Sequence, residues 1–198
     1  MPHKHFNIRS LFAVILGWLF VCIYDLTYMI LTFATLGLLS RRIFHYAAHG
    51  WGKTLLLLAG VELETEGLEH LNSDNGKIAI FNHQSLLDVL WLAALFPARG
   101  VAIVKKEFAY IPLVNLTFWS AGFVFIDRSN RQKALNALKS LATKIISERS
   151  TLFIAPEGTR SQSGEILPFK KGPFHIALDG NIPIVPLVVH GPHHLLPK

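Results

Sequence analysis

The sequence is short of cysteine and of charge, and each shortage narrows what the chain can be. Its one cysteine is Cys22, so no disulfide can form within the chain, which suits a reducing compartment. Charged residues make up 16% of the 198, with a formal net charge of +6. That excess is not gathered into a basic stripe, which argues against a nucleic-acid partner. It fits an anionic membrane surface or a phosphorylated substrate instead. No internal repeat or low-complexity tract is visible, and the length suits one globular domain plus an appendage. Histidine is plentiful, yet His3, His5, His45, His49, His70, His175, His190, His193 and His194 follow no zinc-ligand spacing. No metal and no organic cofactor is expected.

Apolar sequence is abundant, at 51%, and much of it is concentrated near the N-terminus. Residues 11–39 contain one charge, Asp25. The stretch is too long for a signal peptide, and no small-residue cleavage site follows it. As one helix it would be about 43 Å long at ~1.5 Å per residue, more than the ~30 Å hydrocarbon core requires. As two arms, 11–24 and 26–39, it would form a hairpin bent at Asp25 and dipping into one leaflet. Lys4 and Arg9 precede the segment, and Arg41 and Arg42 follow it. Basic residues on both sides place both ends on the cytoplasmic side, which favours the hairpin slightly. On either reading residues 1–40 tether a domain, 41–198, to the cytoplasmic face of the inner (cell) membrane.

After the anchor the pattern alternates. Residues 41–59 read as a helix. Strand-like runs follow at 61–66, 77–81, 101–105, 122–126, 151–155 and 184–189, with helical stretches at 85–96, 112–120, 131–148 and 173–179. The helix at 131–148 carries Ala134, Leu135, Leu138, Leu141, Ala142, Ile145 and Ile146 at helical spacing. Several strands are continuous apolar runs, which implies burial on both faces. The expected fold is α/β, with a mixed, largely parallel sheet flanked by helices.

The run KIAIFNHQSLLD delivers Asn82 and His83 to the C-terminal end of a strand, the edge where ligands bind in α/β sheets. Ser85 followed by Asp88 resembles a capping box, with Asp in place of Glu. On one continuous helix His83 and Asp88 would lie about 140° apart. They meet only if His83 precedes the helix and folds back over its first turn. A neutral imidazole held by a carboxylate is a general base at neutral pH; the plainer alternative is a helix cap beside a turn histidine. The other strands end in the same way. Lys105 and Lys106 close one, Arg128 follows another, and Glu157, Gly158, Thr159 and Arg160 follow a third. Arginines there could grip a phosphate through paired hydrogen bonds, and Gly158 allows close backbone approach. Taken singly, each charge could equally be a solvated loop residue.

Together, NHQSLLD, GFVFIDR, PEGTRS and IPIVP resemble the motifs of the glycerophospholipid acyltransferase family, and within it the 1-acylglycerol-3-phosphate acyltransferases. The resemblance covers about residues 60–190. Asn82, His83 and Asp88 match the first motif, Gly122, Phe125, Ile126 and Arg128 the second, Glu157 to Ser161 the third, and Pro183 and Pro186 the fourth. It implies His83 as catalytic base with Asp88 as its partner, and Arg128, Glu157, Gly158 and Arg160 around the glycerol phosphate; Asn82, Lys105, Thr159 and Pro186 are expected to bind substrate beside them. It implies acyl-CoA or acyl carrier protein as co-substrate and a lysophospholipid in the membrane as acceptor. The reaction expected is acylation of the free sn-2 hydroxyl of 1-acyl-sn-glycerol 3-phosphate. Family members usually run some tens of residues past the fourth motif, so completeness of the C-terminus stays open. Two rivals stand beside this reading. A lipid hydrolase would use Ser85, which no Gly-x-Ser-x-Gly elbow surrounds. A non-catalytic phospholipid binder would need the arginines but not His83.

Overall fold

The structure is a computed structural model, and it describes residues 8–71, 75–127 and 131–197. Five strands form the sheet: β1 Lys77–Phe81, β2 Gly100–Lys105, β3 Val124–Ile126, β4 Thr151–Ile154 and β5 Ile184–Leu187. Their order across it is β3-β2-β4-β1-β5. All four pairings are parallel, so the mixed sheet expected from sequence is corrected to a parallel one among the described residues. Two helices precede the sheet, α1 Ile8–Ala34 and α2 Ser40–Leu58; four separate its strands, α3 Asp88–Leu95, α4 Val114–Ser120, α5 Arg131–Glu148 and α6 Gly172–Gly180; and a short α7 Pro192–Leu195 follows.

Alternation along β1 divides the core. Ile78 and Ile80 pack with Val101, Leu141, Ile145, Leu152 and Ile176 on the face covered by α5 and α6. Ala79 and Phe81 pack with Leu56, Trp91, Ala94, Phe96 and Phe153 on the face covered by α2 and α3. A strand's side chains alternate between faces, so residue 83, two beyond Phe81, is set toward α3. That periodicity brings His83 to the first turn of α3. On α5, Leu138, Leu141, Ala142 and Ile145 form the inward stripe, whereas Ile146 is exposed and leaves it.

Two further expectations are corrected. Residues 61–66 form no strand. Only Val61 packs against the core, its neighbours Glu62 to Glu66 are exposed, and both neighbours of β1 are already taken by β4 and β5. The bend of the N-terminal segment is not at Asp25. α1 runs unbroken through it, and the turn falls at 35–39, where Leu36 and Gly37 take positive φ of 50° and 77°. Asp25 instead meets the Thr117 hydroxyl at 3.3 Å, and one helical turn on the Tyr28 hydroxyl meets Ser120 at 2.8 Å, fastening α1 to α4. Among the described residues no helix is long and apolar enough to cross a membrane. α1 nonetheless leaves Leu19, Ile23, Leu26, Ile30 and Phe33 exposed.

α2 joins the domain by packing on α3, and Gly52 makes the approach possible. A Cβ there would stand 2.5 Å from the Ala94 nitrogen and 2.6 Å from the Leu90 oxygen. Gly52→Ala gains roughly 1 kcal/mol of helix propensity, but it forces two backbones apart. Overpacking costs about 1–3 kcal/mol, more where nothing flexible can yield. The expected result is a net loss of stability, read as a lower urea midpoint for the detergent-solubilised protein; an unchanged or higher midpoint would refute the packing argument.

Candidate active site

Beyond Phe81 the chain leaves the sheet at its C-terminal edge and turns into α3. His83 sits in that turn, its ring edge-on to Phe81 with centroids 5.9 Å apart. Its Nδ1 lies 2.7 Å from Asp88 Oδ2. Asp88 is buried, and burial by itself pushes a carboxyl up. Hydrogen bonds outweigh it here. His83 Nδ1–H and the Gln84 and Ser85 backbone N–H groups donate to Oδ2, and Trp91 Nε1–H donates to Oδ1 at 3.0 Å. The sum holds Asp88 below its ordinary value. A carboxylate so held only accepts, so the shared proton is assigned to Nδ1. Nε2 of the neutral ring is then free to take a proton, and the half-buried ring gives it access. The cradle of donors fixes Asp88, and with it the orientation of the His83 ring.

The capping box is half present. Asp88 returns to the Ser85 N–H at 3.0 Å, but α3 begins only at Asp88 with Leu87 as N-cap. The Ser85 hydroxyl accepts the Leu87 N–H at 3.1 Å and donates to the Leu196 carbonyl at 2.6 Å. It is fully buried and offers no proton to His83, which disfavours Ser85 as nucleophile. Trp91, three residues beyond Asp88, was legible as a neighbour on the helix surface but carried no signal of its hydrogen bond.

The other expected residues are placed differently. Asn82 and Glu157 adjoin His83 and are buried. Asn82 pairs reciprocally with the Val189 backbone, donating at 2.9 Å and accepting at 2.8 Å. Glu157 accepts the His83 N–H at 3.0 Å and the Leu167 N–H at 3.3 Å. Gly158, at φ 71°, turns the loop that carries exposed Thr159 and half-buried Arg160. Lys105 ends β2 at the level of Asn82 by register, roughly 10 Å away across two strand spacings. Its neighbour Lys106 pairs with Asp127 at 2.9 Å. Pro186 lies opposite Ile80 on β5, an edge strand, where proline is tolerated. Arg128 lies outside the described residues. Among the described residues no group of three His, Cys, Asp or Glu could hold a metal ion.

The site is thus a histidine beyond a strand end, braced by a buried carboxylate, beside the loop that carries Arg160. The chain belongs to the Acyltransferase family, whose sequence profile matches residues 62–190. It is 36% identical over 132 residues to the human protein named 1-acyl-sn-glycerol-3-phosphate acyltransferase alpha, covering 67% of this chain and 47% of that one. A Haemophilus influenzae protein named 1-acyl-sn-glycerol-3-phosphate acyltransferase is 29% identical over 191 residues, 95% of this chain and 76% of its own length. The chain thus spans about half the length of the human relative and more of the bacterial one. The crystal structure of the 1-acyl-sn-glycerophosphate (LPA) acyltransferase PlsC from Thermotoga maritima superposes with a TM-score of 0.75 at 26% identity, over 96% of this chain and 78% of that one.

Proposed function

We propose that the chain transfers a fatty acyl group from acyl-CoA or acyl carrier protein to the sn-2 hydroxyl of 1-acyl-sn-glycerol 3-phosphate, giving phosphatidic acid. The observation that carries this is the 2.7 Å contact between His83 and a buried, depressed Asp88 in a chain of the Acyltransferase family. His83 Nε2 removes the acceptor's hydroxyl proton as its oxygen attacks the thioester carbonyl. Asp88 stabilises the imidazolium, as the acid of a Ser-His-Asp triad does. When the tetrahedral adduct collapses, the C–S bond breaks and the imidazolium returns the proton to the thiolate. No metal or organic cofactor enters these steps. Gly158, Thr159 and Arg160, with Arg128 and Lys105, supply the phosphate-binding side of the pocket, and an arginine's planar fork suits that group. Pro186 shapes its β5 flank. The apolar segment within residues 1–40 holds the domain at the cytoplasmic face of the inner membrane, where acceptor and product reside.

The test is a purified-protein assay with a panel of lysolipids against both donors. Preferred acylation of lysophosphatidic acid supports the reading. Preference for lysophosphatidylethanolamine would move the acceptor, and release of free fatty acid without any acceptor would point to a hydrolase.

Transfer is direct in this scheme. Ser85→Ala removes an oxygen that satisfies a backbone N–H, costing about 1–2 kcal/mol of stability, yet it should leave substantial activity. Mass spectrometry of wild-type protein quenched with donor alone is expected to find no adduct. A stoichiometric acyl adduct that chases into product would overturn direct transfer.

A further inference from the structure

We infer that Glu157 is a positioning residue for the base: the loop after β4 grips the main chain of His83, and Glu157 does not contact the glycerol phosphate. The inference rests on the acyl-transfer reading above for its kinetic arm alone. The ladder between β1 and β4 ends at Ile80 opposite Ile154, three residues before His83. Beyond it the backbone of residue 83 would be left without a sheet partner. The 157–161 loop takes over from both sides. Glu157 Oε1 accepts the His83 N–H at 3.0 Å, and the Ser161 N–H donates to the His83 carbonyl at 2.8 Å. The positive φ of Gly158, 71°, folds the loop so that residues 157 and 161 reach the two peptide units that flank the same residue. Both main-chain polar groups of His83 are thereby held by one loop, whose Glu157 lies 74 residues away in sequence.

Glu157 is poorly placed to do anything else. The residue is 3% exposed, and its second carboxylate oxygen accepts the Leu167 N–H at 3.3 Å. A substrate contact needs an oxygen turned to the open edge, and both oxygens are turned to backbone donors. The side chain of Asp88 fixes the ring of His83, and the side chain of Glu157 fixes the backbone from which that ring projects. Small displacements of a reacting group carry large kinetic penalties, roughly 10²-fold for about 1 Å, so a main-chain clamp bears directly on turnover.

The experiment compares Glu157→Ala and Glu157→Gln in the full chain in detergent, by two readouts. With lysophosphatidic acid and acyl-CoA, Glu157→Ala should lower kcat roughly ten- to a hundredfold and leave the acceptor KM within about threefold. Glu157→Gln keeps a carbonyl oxygen for the His83 N–H, gives up only the longer 3.3 Å contact with the Leu167 N–H, and should recover most of kcat. The second readout needs no substrate. In ¹⁵N-histidine spectra, the hydrogen-bonded Nδ1–H of His83 is assigned by its loss in His83→Ala. It should be weakened or shifted in Glu157→Ala and retained in Glu157→Gln. If wild type fails to acylate lysophosphatidic acid, the functional reading falls, and the spectra still decide the clamp. An unchanged Nδ1–H resonance in Glu157→Ala overturns the inference, as does a raised acceptor KM with kcat intact.

Discussion

His83→Ala is expected to lower acyl transfer at least about 10²-fold, and up to about 10⁴-fold, while the protein still folds. The range is that of general-base catalysis by a positioned side chain. The fold should survive because little of the core depends on the imidazole. The ring is partly exposed, touches Phe81 edge-on and, among the described residues, otherwise bonds only Asp88. The main-chain bonds of residue 83, to Glu157 and Ser161, do not involve its side chain and persist with alanine. Asp88 keeps three of its four donors. Turnover measured beside a urea midpoint separates the two consequences. More than about a tenth of wild-type rate with an unchanged midpoint would remove His83 from the role of base. A lost midpoint would instead mean that the ring is structural.

How legible this site was depended on sequence separation. The His83–Asp88 pair spans five residues, and strand-then-helix patterning allowed only one way for them to meet. The apolar runs of β1 and β4 announced burial on both faces, hence parallel pairing and ligand groups at one edge. What composition could not convey is which polar groups answer one another across the fold. Asn82 and Glu157 are expected as ligand contacts through the family resemblance, not through anything in their own spacing. Their partners, Val189 and the His83 amide, lie 107 and 74 residues off, and side-chain chemistry alone does not distinguish a buried amide clamp from a binding residue. Local pattern also misled where tertiary context overrode it. VELETE alternates as a strand should, but β1 had no free edge to offer. Asp25 looks like a hinge because it is the one charge in an apolar run, yet α4 supplies Thr117 and the helix continues.

Asp88→Ala is expected to be the most damaging single change to stability, and Asp88→Asn the most informative. Alanine leaves four donors without an acceptor: the Gln84 and Ser85 amides, Trp91 Nε1–H and His83 Nδ1–H. An unsatisfied buried donor costs about 1–3 kcal/mol. Even with partial relaxation the total should reach roughly 3–5 kcal/mol, the scale of a broken buried charge contact, and activity should fall with it. Asparagine keeps the shape, and the backbone dictates its orientation. Two amides point at the Oδ2 position, so the side-chain carbonyl settles there and the NH₂ group faces Trp91. The His83 Nδ1–H then retains an acceptor and the ring retains its tautomer. What is lost is the acceptor for Trp91 Nε1–H, which costs stability, and the charge that steadies the imidazolium, a charge-assisted hydrogen bond worth about 1.5–3 kcal/mol, or roughly 10- to 10²-fold in rate. The pH dependence gives an independent check. Asp88 is depressed in the folded state, so its contribution to stability is fully present above the unfolded carboxyl pKa of about 3.9. It is lost as pH falls through the lower folded value. Asparagine has no such contribution to lose. The gap in urea midpoint between wild type and Asp88→Asn should therefore be widest near neutral pH and narrow below about pH 4. A gap that stays constant down to pH 3 would mean that the carboxylate is not held by its donors as described.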